Sequence, residues 1–271
     1  MGWFKKKQPA AASAPAAPAG PLTAMLLLKS DRFPYESFAN LLSGERIHGQ
    51  KITLAQSEDH LYVFEIKGGG FGTFAEMPHP YPWSDLEGPC ATSILWPEGT
   101  SADSIKDHRT FMIVTLLNDG MPPIRRRLFL TQVLAMAARD PNVMGIYWPE
   151  GTVVHHPSPF CTLAAGMDTE DDPPLLLWVD YRIFQNDDGS AGLFTTGLAP
   201  LGLMEMEIPR ADMEPRELHD WGAMLTNHQL QNGPVFKDGE TIGTTAEPEF
   251  RIRHRPSQFG HSETILAIEK I

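Results

Sequence analysis

The chain is poor in sulfur, in positive charge and in long apolar runs. It has two cysteines, Cys90 and Cys161, in 271 residues. Neither stands in a metal-type spacing, so no disulfide framework and no metal site is expected, and a reducing cytoplasm is. Lys and Arg number 22 against 34 Asp and Glu, a net charge of −12. A general nucleic-acid binder needs a basic footprint, so no nucleic-acid partner is expected. The balance suits a soluble protein, or one that receives a basic partner. The longest apolar run, residues 111–117 broken by Thr115, is too short to span a bilayer. Lys5, Lys6 and Lys7 are followed by Ala and Pro, which is not the apolar core of a secretory leader.

Catalytic signatures are missing too. The chain has no Gly-x-Ser-x-Gly elbow, no His-Glu-x-x-His helix and no paired-cysteine motif. The glycines of residues 68–72 lack the Lys-Ser/Thr ending of a phosphate loop. No cofactor is expected. These absences lower the odds of common hydrolases and zinc enzymes.

What is present begins with a repeat. Trp-Pro-Glu-Gly-Thr occurs at Trp96 to Thr100 and at Trp148 to Thr152, offset by 148 − 96 = 52 residues. A repeated strand-to-turn device suggests two related halves. Residues 1–21 read as a disordered Ala/Pro-rich tail with a basic, aromatic head at residues 2–7. The head is either a solubilising terminus or a weak contact for an anionic membrane surface.

From residue 22 the pattern predicts strands at 24–28, 52–55, 61–66, 71–75, 109–117, 143–148, 175–185, 193–198, 204–208, 250–255 and 264–269. Helices are predicted from Pro34 to Gly44, over 127–139 and over 215–231. Gly88-Pro89 is expected to interrupt a turn at residue 84 and open a short helix to about residue 95. The alternation in 175–185 places Leu175, Leu177, Val179, Tyr181 and Ile183 on one face, with Trp178, Asp180 and Arg182 on the other. The order is an α+β pattern with largely antiparallel sheet. The expected architecture is two fused ferredoxin-like α/β-sandwich halves, 22–108 and 109–271.

The segments 82–89 (Pro-Trp-Ser-Asp-Leu-Glu-Gly-Pro), 147–152 (Tyr-Trp-Pro-Glu-Gly-Thr), 177–182 (Leu-Trp-Val-Asp-Tyr-Arg) and 193–198 (Leu-Phe-Thr-Thr-Gly-Leu) resemble a bacterial family, the domain of unknown function numbered 4261. The resemblance covers most of the chain after the tail. It implies a bacterial, intracellular protein, carries no catalytic residues over, and favours an immunity-like or secretion-associated role.

Several residues admit a chemical and a structural reading. His108, between Asp107 and the strand at 109, is a candidate general base or ligand, or a histidine in a structural or solvent role. His155 and His156 sit in a Pro-bounded loop without ligand-type companions. Asp168, Glu170, Asp171 and Asp172 form an acidic loop that lacks the calcium-loop pattern. Asp180 and Arg182 are an ion-pair ladder or a binding patch. Arg251, Arg253 and Arg255 line one face of a strand, as an anion-facing stripe or as edge protection. Arg125, Arg126 and Arg127 are expected to be a solvated helix start. Trp96, Glu98, Trp148 and Glu150 either frame a groove or close two turns. The expected function is a non-enzymatic, intracellular protein-binding factor. The alternatives are an enzyme using His108 with carboxylates in a cleft, and a membrane-surface adaptor acting through the head.

Overall fold

A computed structural model describes residues 20–271 except 32, 59, 68, 118–119, 168 and 244–248. The tail, its head and Asp168 therefore lie outside the described residues. The fold is α+β, with an eight-stranded and a six-stranded sheet among the described residues. One unit ends at Asp180 and the other runs from Tyr181 to Ile271.

The first unit contains β1 (Leu22–Leu28), α1 (Tyr35–Gly44), β2 (Arg46–Ile47), β3 (Gln50–Glu58), β4 (Leu61–Ile66), β5 (Phe71–Met77), α2 (Trp83–Thr92), β6 (Thr110–Leu117), α3 (Pro123–Ala137), β7 (Val143–Trp148), β8 (Val153–His155) and α4 (Pro157–Gly166). Its strands lie in the order β2-β3-β4-β5-β6-β1-β7-β8. The run Leu26-Leu27-Leu28 explains why β1 is interior. All three side chains are fully buried, between β6 and β7. Leu22, Ala24 and Leu26 share a face with Met112, Val114 and Leu116. Helix α3 packs on β1 and β6 and buries Leu130, Val133 and Leu134. The opposite face gathers Leu27, Phe111 and Tyr147 with Leu86 and Cys90 of α2. Each such leucine contributes roughly 1.5–3 kcal/mol.

The second unit contains β9 (Asp180–Gln185), whose first residue belongs to the first unit, then β10 (Ala191–Thr196), β11 (Met206–Ala211), α5 (Pro215–Asn232), β12 (Thr241–Ile242), β13 (Phe250–Pro256) and β14 (Thr264–Lys270). The order is β12-β13-β14-β11-β10-β9. β11 and β14 run parallel, while β10–β11 and β13–β14 are antiparallel. Gly189, at φ 85, closes the turn after β9 with its N–H on the Asn186 carbonyl. Helix α5 buries Leu218, Trp221, Gly222 and Leu225.

Three expectations need correction, and one is not confirmed. The boundary at 108/109 cuts through a sheet, because β6 pairs with both β5 and β1, so the chain divides after residue 180 instead. Sheets of eight and six strands exceed the four of a βαββαβ plait, so the ferredoxin-like description of the halves is not confirmed. Both copies of Trp-Pro-Glu-Gly-Thr fall in the first unit and do not mark two halves. The 175–185 strand is half as long as expected. Pro173-Pro174 fixes helical φ, Leu175–Leu177 turn as 3₁₀ helix, and extended chain starts at Asp180. Trp178 is thereby turned into the core, against Trp148 at 6.3 Å, with its Nε1–H donated to Thr131 Oγ1 at 2.9 Å. A smaller departure is α2, which continues through Pro89.

His155 is 2% exposed, and its Nε2 lies 3.2 Å from the Leu177 carbonyl. Burial lowers its pKa from 6.5 to about 4. Folding therefore favours the neutral ring. That stability is whole above pH 6.5 and is lost as the pH falls toward 4. The lost contribution is about 3 kcal/mol at roughly 1.4 kcal/mol per pKa unit. Urea titrations at pH 7 and pH 4 should show His155→Gln losing less stability on acidification than the wild type. Equal losses would remove His155 from the account.

Candidate interaction face

The face of the second sheet opposite α5 concentrates charge and aromatic rings. Its membership follows from pairing. Phe194 of β10 opposes Glu207 of β11, so both point the same way. Arg255 reaches Glu207, which puts the alternating Arg251, Arg253 and Arg255 of β13 on that side. The Arg182 guanidinium lies 5.6 Å from the Phe194 ring centre. Phe184 joins from β9, 6.3 Å from Phe194. The other side carries Phe250, which packs on Trp221 of α5.

Glu207 organises the face. Its side chain is fully buried. Oε2 accepts from Arg255 Nη1 at 3.0 Å, and Oε1 accepts from Ser257 Oγ at 2.6 Å and from the Gln258 N–H at 3.0 Å. Ser257 Oγ in turn accepts the N–H groups of Phe259 and His261, at 2.9 and 3.2 Å. The loop after β13 is thus wound around one carboxylate. It lays Phe259 on Phe194, with ring centres 4.6 Å apart and planes at 10°, and leaves Phe259 36% exposed. His261 Nε2 pins the loop's end to the Thr195 carbonyl at 2.8 Å.

A second buried carboxylate does the same for the loop after β10. Glu205 Oε1 accepts three successive N–H groups, of Gly197, Leu198 and Ala199, at 2.8–3.0 Å. Its Oε2 accepts from Thr195 Oγ1 at 2.7 Å. Successive amides of this kind form an anion nest, here filled by the chain's own side chain. Serine, histidine and glutamate thus meet at this end of the sheet, but Ser257 donates to Glu207 and not to His261. The histidine is not placed to take the serine proton, and the contacts of the cluster hold loops.

The sequence-derived candidates are dispersed. His108 is 5% exposed, with Nδ1 2.6 Å from the Ile105 carbonyl and Nε2 accepting the Tyr81 N–H at 2.8 Å. Both ring nitrogens hold backbone, so His108 presents no lone pair to a substrate. Trp96 is half-buried in the loop after α2. It donates to Ser93 Oγ at 2.6 Å and meets the His156 ring edge-on at 5.3 Å. Glu98 is exposed in the turn. Trp148 is fully buried. Glu150 accepts from the buried Arg127 at 2.5 Å. The two repeats share a turn bond, Thr N–H to Pro carbonyl at 3.0 Å, but differ around it. Gly99 has φ 76, whereas a Cβ on Gly151 would lie 2.1 Å from the Trp178 carbonyl oxygen. They are similar turns in unlike surroundings and do not frame a groove as a pair.

Asp180 is 8% exposed at the head of β9, and Arg182 is half-buried on the aromatic patch. Arg126 and Arg127 are not a solvated helix start. Both are buried, Arg126 on the Leu116 carbonyl at 3.1 Å and Arg127 on Glu150. The acidic loop's Glu170 pairs with Arg125. Among the described residues no three His, Cys, Asp or Glu side chains are placed to hold a metal ion. In the first unit, a dimple lined by Phe38, Leu42, Leu54 and Phe74 has a volume of about 10 Å³. That is room for one water at most.

Residues 194–269 match the family model Domain of unknown function (DUF4261). The matched span holds Phe194, Glu205, Glu207, the β13 arginines and the 257–261 loop. The segments at 82–89, 147–152 and 177–182 that carried the resemblance lie outside it, so the match is narrower than they implied. No curated protein and no solved structure matches the chain. No helix among the described residues is long and apolar enough to cross a membrane.

Sequence reasoning passed over Glu205, Glu207, Ser257, Phe259 and His261. A usable signal existed: Glu205-Met206-Glu207-Ile208 puts two carboxylates at alternate positions of an otherwise apolar run, residues 203–208. Removing one partner of a buried charge pair costs about 3–5 kcal/mol. Glu207→Gln should lower unfolding free energy by that order in urea titration. Arg255→Met combined with Glu207→Leu should recover part of it. A loss below about 1 kcal/mol for Glu207→Gln would show that the carboxylate does not hold the loop.

Proposed function

We propose that the protein is a non-enzymatic, cytoplasmic protein-binding factor that meets its partner with the α5-free face of the second sheet. The observation that carries this reading is the exposed Phe259, stacked on Phe194 in a loop tied to the buried Glu207, on the sheet face that also carries Arg182, Arg251 and Arg253. Aromatic and arginine side chains on a preorganised surface are the usual anchors of protein interfaces. The polar groups nearby that resemble catalytic ones are engaged in holding backbone, which supports binding over chemistry. The family resemblance adds an immunity-like or secretion-associated setting to the proposal.

Affinity capture from the native cells tests it, with wild type and two variants of matched melting temperature, Phe259→Ala and Arg253→Glu. A near-stoichiometric protein should be retained by the wild type and depleted about tenfold by each variant, a loss of roughly 1.4 kcal/mol. Equal retention by all three, or no partner in repeated captures, ends the reading.

A further inference from the structure

The proposed binding face has a sign that the whole chain lacks, and the sign constrains what binds there. On β13, Arg255 is taken up by Glu207 at 3.0 Å and by Glu269 at 3.1 Å. Arg251 is exposed and Arg253 half-buried. Among the described residues neither makes an ion pair; Glu269, the cross-strand neighbour of Arg251, accepts from Arg255. Two guanidinium groups two residues apart on a strand are spaced by roughly 7 Å. Carboxylates at alternate positions of an extended chain have the same spacing. Each guanidinium fork can donate two N–H bonds to one carboxylate.

Across the sheet, Phe184, Phe194 and Phe259 form a continuous aromatic surface, with ring centres 4.6–6.3 Å apart. We infer, on the reading that this face binds protein, that its ligand is a short acidic segment in extended conformation. Alternate carboxylates would sit on Arg251 and Arg253, and an apolar or aromatic side chain would rest against Phe259. The chain's net charge of −12 argues for brevity. A long polyanion is repelled by the whole molecule, whereas a few carboxylates beside an apolar anchor feel chiefly the local arginines. The same reasoning disfavours single-stranded nucleic acid, which would also use stacking rings and cations.

Fluorescence anisotropy with labelled synthetic probes tests the inference on the full chain. The probes are a short alternating Glu-Phe peptide, its Lys-Phe counterpart and a short oligothymidylate. The Glu-Phe peptide should saturate, and the other two should bind at least about tenfold more weakly. Arg251→Glu with Arg253→Glu should weaken the Glu-Phe peptide about tenfold or more at an unchanged melting temperature. If that double variant does not fold, Arg251→Gln, at an exposed position, should still weaken it severalfold. No saturation by the Glu-Phe peptide overturns the inference. So does equal binding of the Lys-Phe peptide, or tighter binding of the oligothymidylate with the same arginine dependence. A variant-sensitive partner captured from cells alongside a silent acidic peptide would sink this inference and leave the binding proposal standing.

Discussion

A carboxylate removed from water must be matched, and Glu207 is matched on every side. Leaving an ion unpaired in a protein interior costs several kcal/mol, so Arg255, Ser257 and the Gln258 amide cannot drift from it. Because Ser257 also receives two further amides, the constraint extends along the loop to Phe259 and His261. The loop's shape is therefore set by electrostatics beneath it, and only afterwards by the stacking of Phe259 on Phe194. Stacking of that kind is worth about 1 kcal/mol beyond burial, too little to place a loop by itself. Glu205 repeats the device one loop away with three backbone amides.

The readable parts of the fold were those where one local pattern met no competitor. β6 is an apolar run, β13 alternates, and α3 and α5 carry apolar residues at helical spacing, and their structural counterparts lie within a few residues of the expected bounds. The misjudged parts are those where prolines and tertiary contacts outweigh alternation. Leu175 to Ile183 alternates well enough for a strand, but Pro173-Pro174 seeds a helical turn and the core accepts Trp178. Pro89 was read as a break, yet α2 passes through it with Leu86 and Cys90 buried on one side. The division of the chain was illegible for a different reason. Which strands share a sheet is a question of long-range pairing, and β6 returns to lie beside β1, separated from it by more than eighty residues of sequence.

The candidate site was legible by residue type only where charge alternated with apolar residues. The arginines of β13 were readable as a stripe, and Arg182 as part of a polar patch. Glu205 and Glu207 were equally alternating but sat in a strand whose bounds were uncertain, so nothing singled them out. Trp96 and Trp148 drew notice because they recur. Recurrence of a turn sequence specifies the turn bond, which both copies make, and says little about the environment on either side. His108 was open to a chemical and a structural reading, and its contacts are structural. A histidine at a strand end looks available in sequence, whereas here both of its nitrogens complete backbone hydrogen bonds.

The buried acids and the arginine face are linked by charge accounting. Three arginines alternate along β13, and one of them, Arg255, is drawn down by Glu207 and Glu269. The remaining two keep their charge toward solvent in a molecule that is otherwise strongly acidic. Were Glu207 neutral, Arg255 would lose its buried partner and compete with its neighbours for Glu269, and the sheet face would lose both its loop and its pattern of charge. The same carboxylate thus sets where the aromatic surface lies and how many guanidinium groups stay available beside it. Shape and sign at this face have a common origin, which is why altering the buried Glu207 should disturb both at once.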